Sequence, residues 1–177
     1  MHAIKVLRED HARIEALLEE LADGGQVAEL SERLKKELVV HILAEDNVFL
    51  PQVADAIEDS RKATGEFFGG DPEVLAEASG LLTSSLENNA WVQELLQRLP
   101  SEPTQKDIED LQKAVERHVE LEEGLFPRAQ EVLEEEDFER IGDLIEHCKW
   151  QVRGLAQAKL ASSSSFRPSS VEVTLLE

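Results

Sequence analysis

Cysteine is almost absent from this chain: among 177 residues, Cys148 alone carries a thiol. That excludes an intramolecular disulfide and any zinc cage built on thiolates, so metal chemistry here would have to rest on histidine and carboxylates. Cys148 itself reads as a small core residue. Basic residues are also scarce, 18 Lys and Arg against 38 Asp and Glu, for a formal net charge of -20. Nucleic acid and anionic membrane are therefore poor partners, since both reward a basic surface, whereas metal cations are drawn to an acidic one. Long apolar runs are missing too, and none approaches the ~18 residues of a membrane span. The N-terminus carries Lys5, Arg8, Glu9 and Asp10 and does not resemble a signal peptide, so the expected location is cytoplasmic.

Alternating strand patterns are lacking as well, and what remains is helical. Apolar residues make up 41% of the chain, enough for one domain with a real core. Ile4, Leu7, His11, Ile14, Leu18 and Leu21 recur three and four apart, predicting a first helix from Ala3 to Ala22 that is stopped by Asp23-Gly24-Gly25. A second helix, from Val27 to Asp59, carries Leu30, Leu34, Leu38, His41, Glu45, Val48 and Gln52 on one stripe, with a distortion expected at Pro51. Thr64 to Gly70 is a Gly-rich turn whose Phe67 and Phe68 would cap the core.

Asp71-Pro72 starts a third helix, with Leu75, Ala78, Leu82, Ser85, Asn89, Val92, Leu96 and Leu99 on its stripe. Thr104 and Asp107 cap a fourth, striped by Ile108, Leu111, Val115, His118, Glu122 and Leu125. The fifth, Asp137 to Leu160, presents Phe138, Ile141, Ile145, Cys148, Val152 and Leu155. The expected architecture is all-α: an up-and-down antiparallel four-helix bundle, with the fifth helix laid against an end or side. The bundle would occupy residues 1–160, and a flexible Ser-rich tail, open to a protein partner, residues 161–177.

His11, His41 with Glu45, Asn89, and His118 with Glu122 all fall on apolar stripes, near the middle of four different helices. A His and a Glu four apart share a helix face, so each pair can grip one ion. Buried carboxylates facing one another cost several kcal/mol unless something positive joins them, and no Lys or Arg is expected on these seams at that level. A bound cation, a protonated histidine or a protonated carboxyl must supply the balance. One histidine on an apolar stripe is ordinarily a satisfied core residue, but three imidazoles and two carboxylates together suit iron or manganese, and less selectively zinc. His2 reads as a loose terminus and His147 as a surface residue.

The chain also repeats itself. Asp10-His11-Ala-Arg-Ile-Glu-Ala-Leu17-Leu18 aligns without gaps on Asn88-Asn89-Ala-Trp-Val-Gln-Glu-Leu95-Leu96, as His41 to Glu45 aligns on His118 to Glu122. Two half-bundles related by a pseudo-twofold would bring two metal positions together. His118 to Pro127 is one residue shorter than His41 to Pro51, so a change of phase is expected in the fourth helix beyond Glu122.

Over roughly Ile4 to Val132 the ordered set of motifs resembles the hemerythrin-like family, the HHE cation-binding domains. The resemblance implies a helix bundle holding a pair of irons. His11, His41 and Glu45 would make one half-site and His118 and Glu122 the other, with Glu45 and Glu122 bridging. Asn89 stands where the family pattern places a second short-helix His, and an amide oxygen is a much poorer iron ligand. The second iron thus loses a terminal ligand, with water, Gln93 or Glu15 as substitutes. The resemblance further implies a small ligand at the centre, such as dioxygen, peroxide or nitric oxide. It leaves open carriage, sensing, storage or peroxide breakdown, and therefore whether the protein is an enzyme. The competing reading is a metal-free or single-metal bundle that serves as a scaffold or interaction protein.

Overall fold

A computed structural model describes residues 1–24, 26–63 and 71–163. The expected turn over residues 64–70 and the tail from residue 164 onward lie outside them. Every element among the described residues is helical: α1 (Ala3–Ala22), α2 (Val27–Ala44), a π-helical turn (Glu45–Phe49), α3 (Leu50–Lys62), α4 (Pro72–Arg98), α5 (Gln105–Val132) and α6 (Glu135–Ser163). Because α2, the π turn and α3 follow without a break, the elements form a bundle of four rods with a fifth helix added. That helix, α6, packs lengthwise against α1 and α2 and begins and ends somewhat beyond the expected span.

Local chemistry accounts for the helix starts. The Asp71 carboxylate accepts from the Glu73 backbone N–H at 2.9 Å, with Pro72 in the first turn. Thr104 and Asp107 form a reciprocal capping box at the head of α5. Each satisfies N–H groups that a helix start leaves without an internal partner.

The second rod departs from its predicted stripe, and the reason is visible. Within the π turn the Leu50 N–H reaches back five residues to the Glu45 carbonyl, which takes up one extra residue per turn. From the last residue of that turn onward the buried positions are Phe49, Leu50, Val53 and Ile57, with Phe49 and Val53 one residue later than the predicted Val48 and Gln52. The same extra residue explains the longer spacing from His41 to Pro51. The phase change expected in the fourth helix thus occurs in the second, and α5 continues through Pro127 as α-helix.

Two apolar blocks make up the core. One gathers Leu7, Phe49, Leu50, Leu125, Phe126 and Phe138. The other gathers Ile14, Leu34, Leu38, Val92, Leu111 and Val115. On α1 Asp10 and His11, and on α5 His118 and Glu122, lie between the positions given to the two blocks, and His41 and Glu45 sit where the second rod passes from one block to the other, so a polar layer crosses the bundle at mid-height.

α6 is seated tightly at its start. A side chain at Gly142 would bring Cβ within 1.7 Å of the Met1 carbonyl oxygen, so only glycine permits this approach. The Met1 ammonium binds Asp143 at 2.8 Å. His2, expected to be loose, instead stacks on Phe138 with ring centroids 4.9 Å apart. The far end of the α6 stripe is not core, since Leu155 is exposed, as are His147 and Trp150. Among the described residues no helix is long and apolar enough to cross a membrane.

Candidate metal centre

Four elements deliver the five central donors of the polar layer. His11 comes from α1, His41 from the last turn of α2, Glu45 from the start of the π turn, and His118 and Glu122 from α5. All five are buried, and one ligand atom from each lies within 4.8 Å of every other. His41 and His118 bring their Nε2 atoms to 3.0 Å. His41 Nε2 is 2.7 Å from Glu45 Oε1, and His11 Nε2 is 3.2 Å from Glu122 Oε2. The three imidazole rings are mutually near-perpendicular, with interplanar angles of 78°, 85° and 78°. Phe126 lies nearly parallel to His11 at 6.4 Å and Phe49 meets Phe126 edge-on, an apolar wall on one side of the site. Trp91, two residues after Asn89 on α4, is exposed.

His41 and Glu45 pair within the first half of the repeat, whereas the α1 histidine and its α4 counterpart reach across to the other half. His11 of the first half meets Glu122 of the second. Asn89 of the second half meets Glu45 of the first, its Nδ2 donating at 3.3 Å. Asn89 therefore occupies the repeat-related counterpart of the His11 position. Its amide is turned toward carboxylates, giving a second hydrogen bond to Asp46 at 2.9 Å, and Gln93 donates to the other Asp46 oxygen at 3.1 Å. Because carboxylates only accept, that orientation points the amide nitrogen, which cannot ligate, at Glu45. Of the substitutes considered for the missing ligand, Gln93 is engaged with Asp46 and Glu15 faces solvent.

Sequence reasoning missed Asp10 and Lys149. Both are buried, the latter only 3% exposed. Lys149 Nζ donates to Asp10 Oδ1 at 2.9 Å and to Glu146 at 2.6 Å, while Asp10 Oδ2 faces His41 Nδ1 at 3.4 Å. A cation does therefore enter the layer, from α6, contrary to expectation. Spacing could have found it: Lys149 is four residues after Ile145, as natural a stripe position as Cys148 at three.

Lys149 answers Asp10 but not the central five. Both Glu122 oxygens, Glu45 Oε1, both His11 nitrogens and His118 Nδ1 lack an aligned hydrogen-bond partner, although several stand within ion-pair distance of one another. Buried polar atoms are ordinarily hydrogen-bonded, so a cluster of them without aligned partners is a place that accommodates a bound cation. Cis ligands of an octahedral ion with ~2.1 Å bonds lie about 3 Å apart and trans ligands about 4.2 Å apart. The nearest pairs, at 2.7, 3.0 and 3.2 Å, are of cis size, and the outer limit of 4.8 Å is slightly wider than the trans distance, so the donor set fits a metal after a small contraction.

Burial and mutual charge shift the ionisations. For Glu45 burial works upward, but His41 and His118 outweigh it and hold the carboxyl well below its usual range. Glu122 is pushed up, by burial first and by Glu45 second, against the pull of His118 and His11. His41 and His118 are both raised: burial opposes their charging, yet Glu45 and Glu122 prevail. Burial lowers the Lys149 pKa, against the pull of Glu146.

A family model, the hemerythrin HHE cation binding domain, matches residues 2–129. The chain belongs to this hemerythrin family. No curated protein and no solved structure matches it. The family match spans α1 through most of α5 and contains all five central donors, whereas α6 and Lys149 lie beyond it. As a hemerythrin-family domain the chain carries the buried His/Glu cluster that could hold a cation.

Proposed function

We propose that this hemerythrin-family protein binds a single non-haem iron among His11, His41, Glu45, His118 and Glu122, and that a small ligand, dioxygen, peroxide or nitric oxide, reaches that centre. The carrying observation is the compactness of the donor set, five ligand atoms within 4.8 Å of one another. Donors for two ions would be spread more widely. The Asn89 amide, turned toward Glu45 and Asp46, leaves the second position without the histidine that the first receives from His11.

Three neutral imidazoles and two carboxylates match the charge of a divalent ion, and an ion with five protein ligands keeps one position open. Such an ion supplies Lewis acidity and one-electron redox chemistry to whatever occupies that position. The protein's own contributions are to fix the donors, to keep the site dry with Phe126 and Phe49, and to orient the His41 ring through Asp10.

The test is to load metal-free protein with Fe(II) under anaerobic conditions and add nitric oxide. About one iron per chain and a half-integer-spin EPR signal from an iron–nitrosyl support the proposal. Iron retained without that signal removes the small-ligand role, and failure to retain iron returns the chain to the class of scaffold bundles.

A further inference from the structure

α6 lies outside the span of the family match, yet it sends a buried cation to the edge of the candidate centre. A lysine so deeply enclosed must be matched by charge, and Asp10 Oδ1 at 2.9 Å and Glu146 Oε1 at 2.6 Å match it. Arg13, one turn along α1, also donates to Asp10 Oδ1. Two cations thus draw on one oxygen of the Asp10 carboxylate, which leaves Oδ2 for the His41 ring at 3.4 Å. Since a carboxylate accepts only, this arrangement calls for a proton on His41 Nδ1 and turns Nε2 toward His118 and Glu45.

Neither other imidazole of the set is held in this way. His118 Nδ1 and His11 Nδ1 have no aligned partner. Asn88, the repeat-related counterpart of Asp10, donates instead to the Ala114 carbonyl at 3.3 Å. The orienting device therefore exists in one half of the repeat only, on the side against which α6 packs.

We infer that Lys149 is a positioning residue: by anchoring Asp10 it holds the His41 ring, so that α6 is a working part of the metal centre. The inference rests on the metal-site reading for its effect on affinity, but the ring orientation can be tested without metal.

The variants are Asp10→Asn, Lys149→Met and the double substitution, each first checked by circular dichroism for a retained helical fold. Two readouts are taken: Zn(II) affinity by competition with a chromophoric chelator, and the His41 Nδ1–H proton by NMR in metal-free and Zn(II)-loaded protein. Asp10→Asn should weaken Zn(II) binding ~10–100-fold, the usual effect of removing an outer carboxylate from a metal-bound histidine. Lys149→Met should weaken it less, and should add nothing in the Asp10→Asn background. The wild type should show a slowly exchanging His41 Nδ1–H that both single variants lose. If the wild type binds no metal but shows this proton, and both variants lose it, the positioning role stands and only the metal reading fails. An unchanged Nδ1–H signal in both variants would overturn the inference, as would a Lys149→Met loss of affinity that persists in full beside Asp10→Asn.

Discussion

His41 and His118, carried on facing rods 77 residues apart, present Nε2 to Nε2 at 3.0 Å. Two imidazole nitrogens at that separation either share a proton or share an ion. Since Glu45 Oε1 stands 2.7 Å from one and 3.6 Å from the other, the point they surround is one where positive charge is strongly favoured.

Glu45 belongs to that surround and Glu15 does not. Glu45→Ala should weaken Fe(II) or Zn(II) binding by more than ~100-fold, beyond the usual effect of losing an outer group. Glu15→Ala, altering an exposed side chain, should leave affinity unchanged. Calorimetric titration of both variants checks the order, and a larger effect from Glu15→Ala would place the site on another face of α1.

Asn89 marks the counterpart of the His11 position, 3.3 Å from Glu45 where His11 is 3.2 Å from Glu122. Asn89→His should therefore supply the missing imidazole and raise metal content from about one ion per chain toward two. Elemental analysis of the purified variant reads the change. Unaltered stoichiometry and affinity would mean that this position does not serve a second ion.

Metal-free and metal-loaded protein should respond oppositely to pH. Asp10 and His11 on α1, Asp46 through Asn89, and Lys149 on α6 border the coupled groups. His41 and His118 are raised above 6.5, so their contribution to stability is complete below that value and is lost as pH rises through the raised pKa. Glu122, raised above 4.5, contributes in the same sense. Glu45, lowered, contributes above 4.5 and is lost only as pH falls through its depressed pKa. The metal-free protein should thus lose thermal stability as pH rises above about 6.5, while metal affinity, which requires neutral imidazoles, should increase. Melting temperatures of the two forms across that range check the signs, and a metal-free protein that gains stability there would contradict them.

Gly142 sets how closely α6 can lie on the start of α1. Gly142→Ala places Cβ 1.7 Å from a backbone oxygen, a clash relieved only by moving a helix. Overpacking of this kind costs ~1–3 kcal/mol, measurable by urea denaturation. A neutral result would mean that the junction yields readily.

Much of this was legible in the sequence because strong signals agreed. The stripes of α1, α4 and α5, the Asp71 and Thr104 caps, and the polar residues at mid-helix all follow from spacing alone. The π turn was half legible: Pro51 announced a distortion, and the extra residue between His41 and Pro51 announced a phase change, but periodicity could not say which rod would absorb it. Lys149 escaped because positions 148 and 149 fit the α6 stripe equally well, and hydrophobicity favoured Cys148. Asp10 escaped likewise beside His11. The crossed pairing of His11 with Glu122 was out of reach, since it depends on how the rods are arranged around the axis.

Whether the five buried donors hold one cation is read by anaerobic titration of metal-stripped protein with Fe(II), followed by both heat release and melting temperature. Saturation near one ion per chain, with a melting temperature that climbs with free metal as mass action requires, is the predicted result. No heat of binding and an unmoved melting temperature would contradict it.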